Sequence, residues 1–221
     1  MPTEKRVGVI LSGSGFLDGA EIQEATLTLL FLDRRGAKVT AMAPDVSQMH
    51  VVDHLKGEPA SGETRNVLAE AARITRGSIV DVKSVKAADL DALILPGGYG
   101  AAKNLCNFAT EGVKLSVDPG VERLVRDMAS AGKPIGFICI APVIAAKVLG
   151  ARKVKLTIGN DPATAAALTA LGAVHVDSPV DQIVVDEKNR VVSTPAYMLG
   201  PSIAPVSAGI EKLVAAVLEM A

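Results

Sequence analysis

The stretch Arg6-Val7-Gly8-Val9-Ile10-Leu11, running on into Ser12-Gly13-Ser14-Gly15, decides the fold. A short continuous apolar run that ends in small, turn-forming residues is the pattern of a strand buried on both faces. A helix is expected next, from about Gly19 to Arg35, where Arg34 and Arg35 place cations beside the carbonyl end and Gly36 supplies the stop. Lys38 to Ala43 reads as a second strand, closed by Pro44-Asp45. Strand, helix and strand in this order form a βαβ unit, which implies a parallel sheet.

The same alternation continues outward from that unit. Asp45 to Glu63 is polar and turn-rich and reads as a surface excursion. Thr64 to Arg76 is expected to be a helix, because Val67, Leu68, Ala71, Ala72 and Thr75 recur at three-and-four spacing. Strands are expected at Ser78–Val82, Leu90–Leu95 and Ile135–Ile140, and helices at Pro119–Ala131 and Pro142–Leu149. After Gly150 the pattern predicts a short strand at Val154–Thr157, a helix at Pro162–Leu171, and short strands at Val174, Ile183–Val185 and Val191–Thr194. Asp186-Glu187-Lys188-Asn189 marks a hairpin between the last two, and a helix from Pro205 to Met220 closes the chain. The expectation is an α/β fold, a mainly parallel sheet flanked by helices on both faces, in one domain spanning 1–221.

Composition narrows the class of function. Apolar residues make up 49% of the chain but aromatics only 3%, with no Trp, so Ala, Val, Leu and Ile must fill the interior. That suits a parallel sheet covered by helices. A formal net charge of −1, with no long run of one sign, gives no basic footprint for nucleic acid. The residues from Met1 to Arg6 lead directly into an apolar run too short for a signal peptide or a membrane span, so a cytoplasmic protein without a membrane partner is expected. Cys106 and Cys139 stand outside any CxxC or Cys/His ligand spacing; both are expected to be reduced thiols, with no metal and no cofactor.

In an open parallel sheet, ligands bind beyond the carboxyl ends of the strands. Three loops emerge there. Leu11 to Gly19 superficially resembles a dinucleotide fingerprint, but Asp18 stands where a third small residue is needed, and the glycines then read as a flexible connection. Leu95-Pro96-Gly97-Gly98-Tyr99-Gly100 is either a tight turn or a nest of accessible backbone N–H groups. Gly136-Phe137-Ile138-Cys139-Ile140-Ala141-Pro142 places a cysteine at a sharp strand-to-helix turn. By its residues alone, Cys139 is either a small buried hydrophobe or a thiol whose ionised form the helix N-terminus favours. Glu24 starts at the same edge of the sheet. It is either a surface group complementing the helix dipole, a role Glu21 suits better, or a partner that shares one proton with Cys139 and has a raised pKa.

Together these loops resemble the PfpI/ThiJ superfamily, and its ElbB subfamily in particular. The resemblance is carried by Gly19–Ala25, Glu63–Leu68, Leu95–Leu105, Gly136–Pro142, Pro179–Asp186 and Thr194–Leu199, whose order and spacing cover nearly the whole chain. It implies a flavodoxin-like, class I amidotransferase-like fold and a homodimer. It places the family's nucleophile on Cys139, its partner carboxylate on Glu24, and its oxyanion-binding amides on Gly98 and Ile140, beside Gly97.

The departures from the family pattern are as informative. PfpI-type proteases carry His immediately after the cysteine, where this chain has Ile140, and no downstream His–Glu motif completes a glutaminase triad. His50 and His54 lie in the polar excursion and read as solvated, and His175 reads either as a satisfied strand-end residue or as one that approaches the site from a late strand. What the resemblance then implies is a cofactor-independent, glyoxalase III-like lyase that converts glyoxal or a similar small 2-oxoaldehyde to a 2-hydroxy acid through a Cys139 hemithioacetal. The alternatives are a redox-sensing protein in which Cys139 is oxidised to a sulfinate, and a non-catalytic amidotransferase-like protein associated with isoprenoid biosynthesis.

Overall fold

The computed structural model describes residues 4–221, so the first three residues of the N-terminal reading lie outside it. In chain order the elements are β1 (Arg6–Ile10), α1 (Ile22–Arg34), β2 (Lys38–Ala43), β3 (Val52–Asp53), β4 (Glu58–Pro59), α2 (Val67–Ile74), β5 (Val80–Asp81), β6 (Ala92–Leu95), α3 (Tyr99–Lys103) and α4 (Phe108–Glu111). There follow α5 (Pro119–Ser130), β7 (Ile135–Ile138), α6 (Pro142–Leu149), β8 (Lys155–Leu156), α7 (Pro162–Ala170), β9 (Val174–His175), β10 (Val184–Asp186), β11 (Val191–Thr194) and α8 (Ile203–Met220). Seven strands form the central sheet in the order β10-β11-β7-β6-β1-β2-β5. Every pairing in it is parallel except β10 with β11, the hairpin at one edge. The chain builds outward from β1 through β2 to β5, then crosses back to β6 on the other side. The loops leaving β1 and β6 therefore diverge at a switch point, where a crevice opens above the sheet.

Alternation along the strands divides the core into two layers. Val7, Val9 and Leu11 face α1, α2 and α8, together with Leu32, Ile210 and Leu213; Ile10, Leu93, Leu95 and Phe137 face α5, α6 and α7, with Leu124, Met128 and Ile144. Each such side chain, fully removed from water, contributes roughly 1.5–3 kcal/mol. This burial on both faces is why the strands read as unbroken apolar runs. The strand glycines mark close approaches. A Cβ on Gly8 would come within 2.7 Å of Leu90 Cδ1, and one on Gly136 within 2.8 Å of Leu213 Cδ2 on α8.

Several boundaries differ from the sequence expectation. Helix α1 begins at Ile22 rather than Gly19, because residues 19–21 are tied to the loop after β6 and the Glu21 carboxylate caps the helix by accepting the Glu24 amide. Strand β7 ends at Ile138, since Cys139 turns out of the extended conformation with φ +62°. The expected short strands after Gly150 include a separate parallel pair, β8 with β9, outside the central sheet. The excursion contains the antiparallel pair β3–β4, and α3 and α4 occupy a stretch where no helix is expected. Among the described residues no helix is long and apolar enough to cross a membrane.

The glycines at helix contacts predict an order of stability. Gly136→Ala is expected to cost about 1–3 kcal/mol, because the Leu213 and Val217 side chains can move aside. Gly150→Ala is expected to cost more, because its Cβ would overlap the carbonyl oxygen of Leu171, a backbone atom at the end of α7. Urea midpoints of the two variants check the order, and equal midpoints would refute it.

Candidate active site

At the switch point, backbone lies directly on backbone. The Tyr99 amide donates to the Phe16 carbonyl at 2.7 Å, the Glu21 amide to the Gly97 carbonyl at 3.0 Å, and the Gly100 amide to the Gly19 carbonyl at 2.9 Å. No side chain fits between these strands of chain. A Cβ on Gly100 would stand 2.5 Å from Gly19 Cα, and one on Gly98, whose φ is +91°, 2.5 Å from the Gly19 carbonyl oxygen. Glycine is therefore required at Gly98 both for conformation and for space.

The loop from Leu11 to Gly19, expected to be flexible, is fastened from two sides. Asn104 Nδ2 donates to the carbonyls of Ser12 (2.9 Å) and Asp18 (2.8 Å), while its Oδ1 accepts the Met49 amide at 3.0 Å. From the excursion, the Val52 amide donates to the buried Asp18 carboxylate at 2.8 Å. His54, exposed as expected, also accepts the Leu17 amide on Nε2 at 3.3 Å and meets the Phe16 ring edge-on, with centroids 5.4 Å apart. The excursion thus braces the first loop, and His54 is one of its contact points. His50 is exposed, as expected.

Cys139 follows β7 in a left-handed conformation that non-glycine residues rarely adopt, a strain of roughly 1–3 kcal/mol. The Cys139 amide is held by the Thr194 carbonyl at 3.0 Å, and the Ala141 amide returns to Ile138 at 3.0 Å before α6 starts at Pro142. The turn leaves Cys139 7% exposed at the cleft. Behind it lies Glu24, fully buried on α1. Its Oε2 accepts the Gly97 amide at 2.9 Å, its Oε1 accepts the Tyr197 amide at 3.2 Å, and the Cys139 thiol is near enough to favour the charged carboxylate. Gly97 is the spacer between the two groups, because a Cβ there would stand 2.5 Å from Cys139 Cβ and 3.0 Å from Glu24 Oε2. Tyr197 is the contribution that sequence reasoning missed. It lies in Thr194–Leu199, a segment that carried the family resemblance without a role for any of its residues, and the buried, left-handed Ala196 (φ +44°) precedes it.

The electrostatics correct one expectation. Burial pushes the Glu24 carboxyl up to about 8, the Glu21 carboxylate adds to that rise, and the Tyr197 and Gly97 amides and the Cys139 thiol oppose it. The Cys139 thiol is pushed well above its ordinary value, first by burial and next by the charge of Glu24. The amides of Gly98 and Ile140 act on the sulfur in the opposite sense. The start of α6 was expected to favour a thiolate, but desolvation and the neighbouring carboxylate outweigh it.

The remaining sequence candidates fall elsewhere. His175 sits on β9, with Nδ1 3.5 Å from Asp177 Oδ1 and Nε2 3.5 Å from the Ile158 amide, and it does not line the cleft. Cys106 is unpaired, donates to the Ala101 carbonyl at 3.2 Å and is pushed up to about 11 by burial. Among the described residues, no group of three or more His, Cys, Asp and Glu side chains is placed to hold a metal ion. The cleft over Cys139 has a volume of about 940 Å³ and is bounded by Gly98, Tyr99, Ile140, Tyr197 and Met198, with Glu24 behind this wall.

Comparison with known proteins gives a consistent result. The sequence profile of the DJ-1/PfpI family matches residues 14–198. The chain is 50% identical over 224 residues to the Homo sapiens protein named glutamine amidotransferase-like class 1 domain-containing protein 3, mitochondrial, covering 97% of this chain and 83% of that one. It is 36% identical over 206 residues to the Danio rerio ES1 protein, mitochondrial, covering 87% and 76%. Among solved structures, an isoprenoid biosynthesis protein with an amidotransferase-like domain from Ehrlichia chaffeensis superposes with a TM-score of 0.90 at 40% identity, covering 97% of this chain and 99% of that one.

A carboxyl raised by burial must weaken the fold as it ionises. The Glu24 proton is held more tightly in the folded than in the unfolded chain, so its stabilising effect is complete below the ordinary pKa of 4.5 and is lost as pH rises through about 8. Within that window the slope is about 1.4 kcal/mol per pH unit. The parent's urea midpoint is expected to fall between pH 5 and pH 9, and that of Glu24→Gln to fall by less; parallel profiles would show that Glu24 carries no such proton.

Proposed function

Because the chain belongs to the DJ-1/PfpI family, we propose that it is a cofactor-independent glyoxalase of the ElbB subfamily, with Cys139 as nucleophile and Glu24 as its proton acceptor. The observation that carries this reading is the buried pair itself: a thiol and a carboxyl side by side across Gly97, with the sulfur open to a cleft. Glu24 as carboxylate takes the thiol proton while the Gly98 and Ile140 amides stabilise the sulfur as it becomes negative. The sulfur adds to the aldehyde carbon to give a hemithioacetal, whose oxygen competes for those same amides. Moving the hydrogen of that carbon to the neighbouring carbonyl carbon through an enediol leaves a thioester. Water then cleaves it to the 2-hydroxy acid and returns the thiol. The sequence is internally redox-neutral and uses only water.

Ile140 after the nucleophile, and the distance of His175 from the cleft, support this reading over a peptidase or glutaminase. A sulfinate-forming sensor would use the same thiol and amides but needs an external oxidant, whereas the aldehyde reaction needs only water. The proposal includes a homodimer acting in the cytoplasm. The name of the Ehrlichia chaffeensis protein supports placing the activity beside isoprenoid metabolism.

Glyoxal turnover followed by proton NMR tests the reading. The parent should form glycolate, Cys139→Ala should form none above background, and Glu24→Gln should be slower by about 10²–10⁴. Since the active carboxylate forms only as pH rises through about 8, kcat/KM should increase about tenfold from pH 7 to pH 9 and this limb should vanish in Glu24→Gln. Glycolate formation by Cys139→Ala at the parental rate would end the proposal.

A further inference from the structure

The chain has four Phe, two Tyr and no Trp, and four of those six aromatics, Phe16, Tyr99, Phe108 and Tyr197, line the one cleft over Cys139. Phe31 and Phe137 are buried in the core, and Phe108 and Tyr197 pack partly buried against it. Phe16 and Tyr99 stand 47% and 53% exposed, although packing them inward would bury large apolar surfaces. Ala102, Ala109, Ile140 and Met198 continue the same wall.

Several polar groups of the cleft are already engaged within the protein. Glu21 accepts the Glu24 amide at 2.6 Å as the cap of α1, and Asp161 accepts Thr164 N at 2.8 Å and Oγ1 at 2.6 Å as the cap of α7. The Tyr197 hydroxyl donates to Gln23 Oε1. Lys103 Nζ donates to the Leu17 carbonyl at 2.8 Å and lies 5.3 Å from the Tyr99 ring centroid. What remains for a ligand is mainly apolar wall around the sulfur, with the Tyr99 hydroxyl and the Lys103 cation at its side. At about 940 Å³ the cleft is at the upper end of the range for drug-sized ligands. Glyoxal, with two carbons and two oxygens, would leave those walls wet.

We propose that the carbonyl compound this cleft is built for carries an aromatic ring: an aryl-substituted 2-oxoaldehyde, its aldehyde carbon at Cys139 and its ring among Phe16, Tyr99 and Phe108. This rests on the Cys139 reading above and specifies its substrate. The reaction stays balanced. The aldehyde carbon is oxidised and the adjacent ketone carbon reduced as hydrogen passes from the first to the second, and one water supplies the second acid oxygen, giving an aryl 2-hydroxy acid.

Equilibrium binding to the intact chain, measured by calorimetry, tests this without requiring turnover. The probes are mandelate and glycolate, the acids formed from phenylglyoxal and glyoxal, with hexahydromandelate as the saturated-ring control. Mandelate should bind about tenfold more tightly than glycolate, consistent with one or two ring contacts. Tyr99→Ala and Phe108→Ala should each cut that preference by about threefold, and Phe108→Leu, which keeps apolar bulk, guards against misfolding of the alanine variant. Equal affinity for mandelate and glycolate, an unchanged preference in all three variants, or hexahydromandelate binding as tightly as mandelate would each overturn the proposal. Glyoxal turnover remains the separate readout of the nucleophile. Mandelate selectivity without turnover would keep the aromatic site and remove the glyoxalase assignment, whereas turnover without selectivity would do the reverse.

Discussion

The contact on which the site depends is the crossing of the loops after β1 and β6, where Gly19, Gly98 and Gly100 let two main chains meet with no side chain between them. Hydrogen bonds from Glu21, Tyr99 and Gly100 fix the crossing. They set where α1 begins, and therefore which way Glu24 points one turn later. They also aim the Gly97 amide at the Glu24 carboxyl and bring the Gly98 amide to the sulfur. A glycine-rich loop is often explained by flexibility. Here glycine permits close approach, and the result is a rigid seat.

Onto that seat the fold places two groups that resist ionisation. Glu24 is removed from water altogether, and its compensation is two backbone amides. Cys139 adopts a left-handed conformation that brings its sulfur beside the carboxyl and into the cleft. Each feature costs stability, of the order of 1–3 kcal/mol for such a backbone conformation alone. The two apolar layers that clamp the sheet between α1, α8 and α5–α7 supply the surplus that holds these groups in place.

The central strands were legible because burial on both faces leaves an unambiguous mark: Arg6–Ile10, Lys38–Ala43, Ala92–Leu95 and Ile135–Ile138 are near-continuous apolar runs bounded by turn residues. The short helix Tyr99–Lys103 was not, since it starts at Gly98-Tyr99-Gly100, poor helix formers that are held helical by the Gly19 loop they rest on. For the same reason the contacts of the exposed His54 were hidden, because its partners Phe16 and Leu17 are more than thirty residues away. Cys139, Glu24 and Gly97 were readable from their positions at strand ends. The Tyr197 amide was not, because a backbone donor 173 residues from its carboxylate leaves no signature in residue type. Nor does a sequence show desolvation, which is what turned the expected thiolate into a thiol held above its ordinary pKa.

That raised thiol has a logic when the cleft is considered with it. A ligand that fills an aromatic-walled cleft expels water, and the loss of water opposes any separate ionisation of Cys139 or Glu24 still further. Passing the proton from the thiol to the Glu24 carboxylate is different, because the net charge of the pair is the same before and after. The amides of Gly98 and Ile140 then stabilise the charge where it arrives, on sulfur, and those of Gly97 and Tyr197 stabilise it where it started. A dry site therefore penalises an idle thiolate, while the internal transfer, still uphill from the raised thiol to the Glu24 carboxylate, adds no net charge to the site. A nucleophile arranged in this way is unmasked by exchange with its own carboxylate, next to the carbonyl carbon it is to attack, and remains a protected thiol at other times.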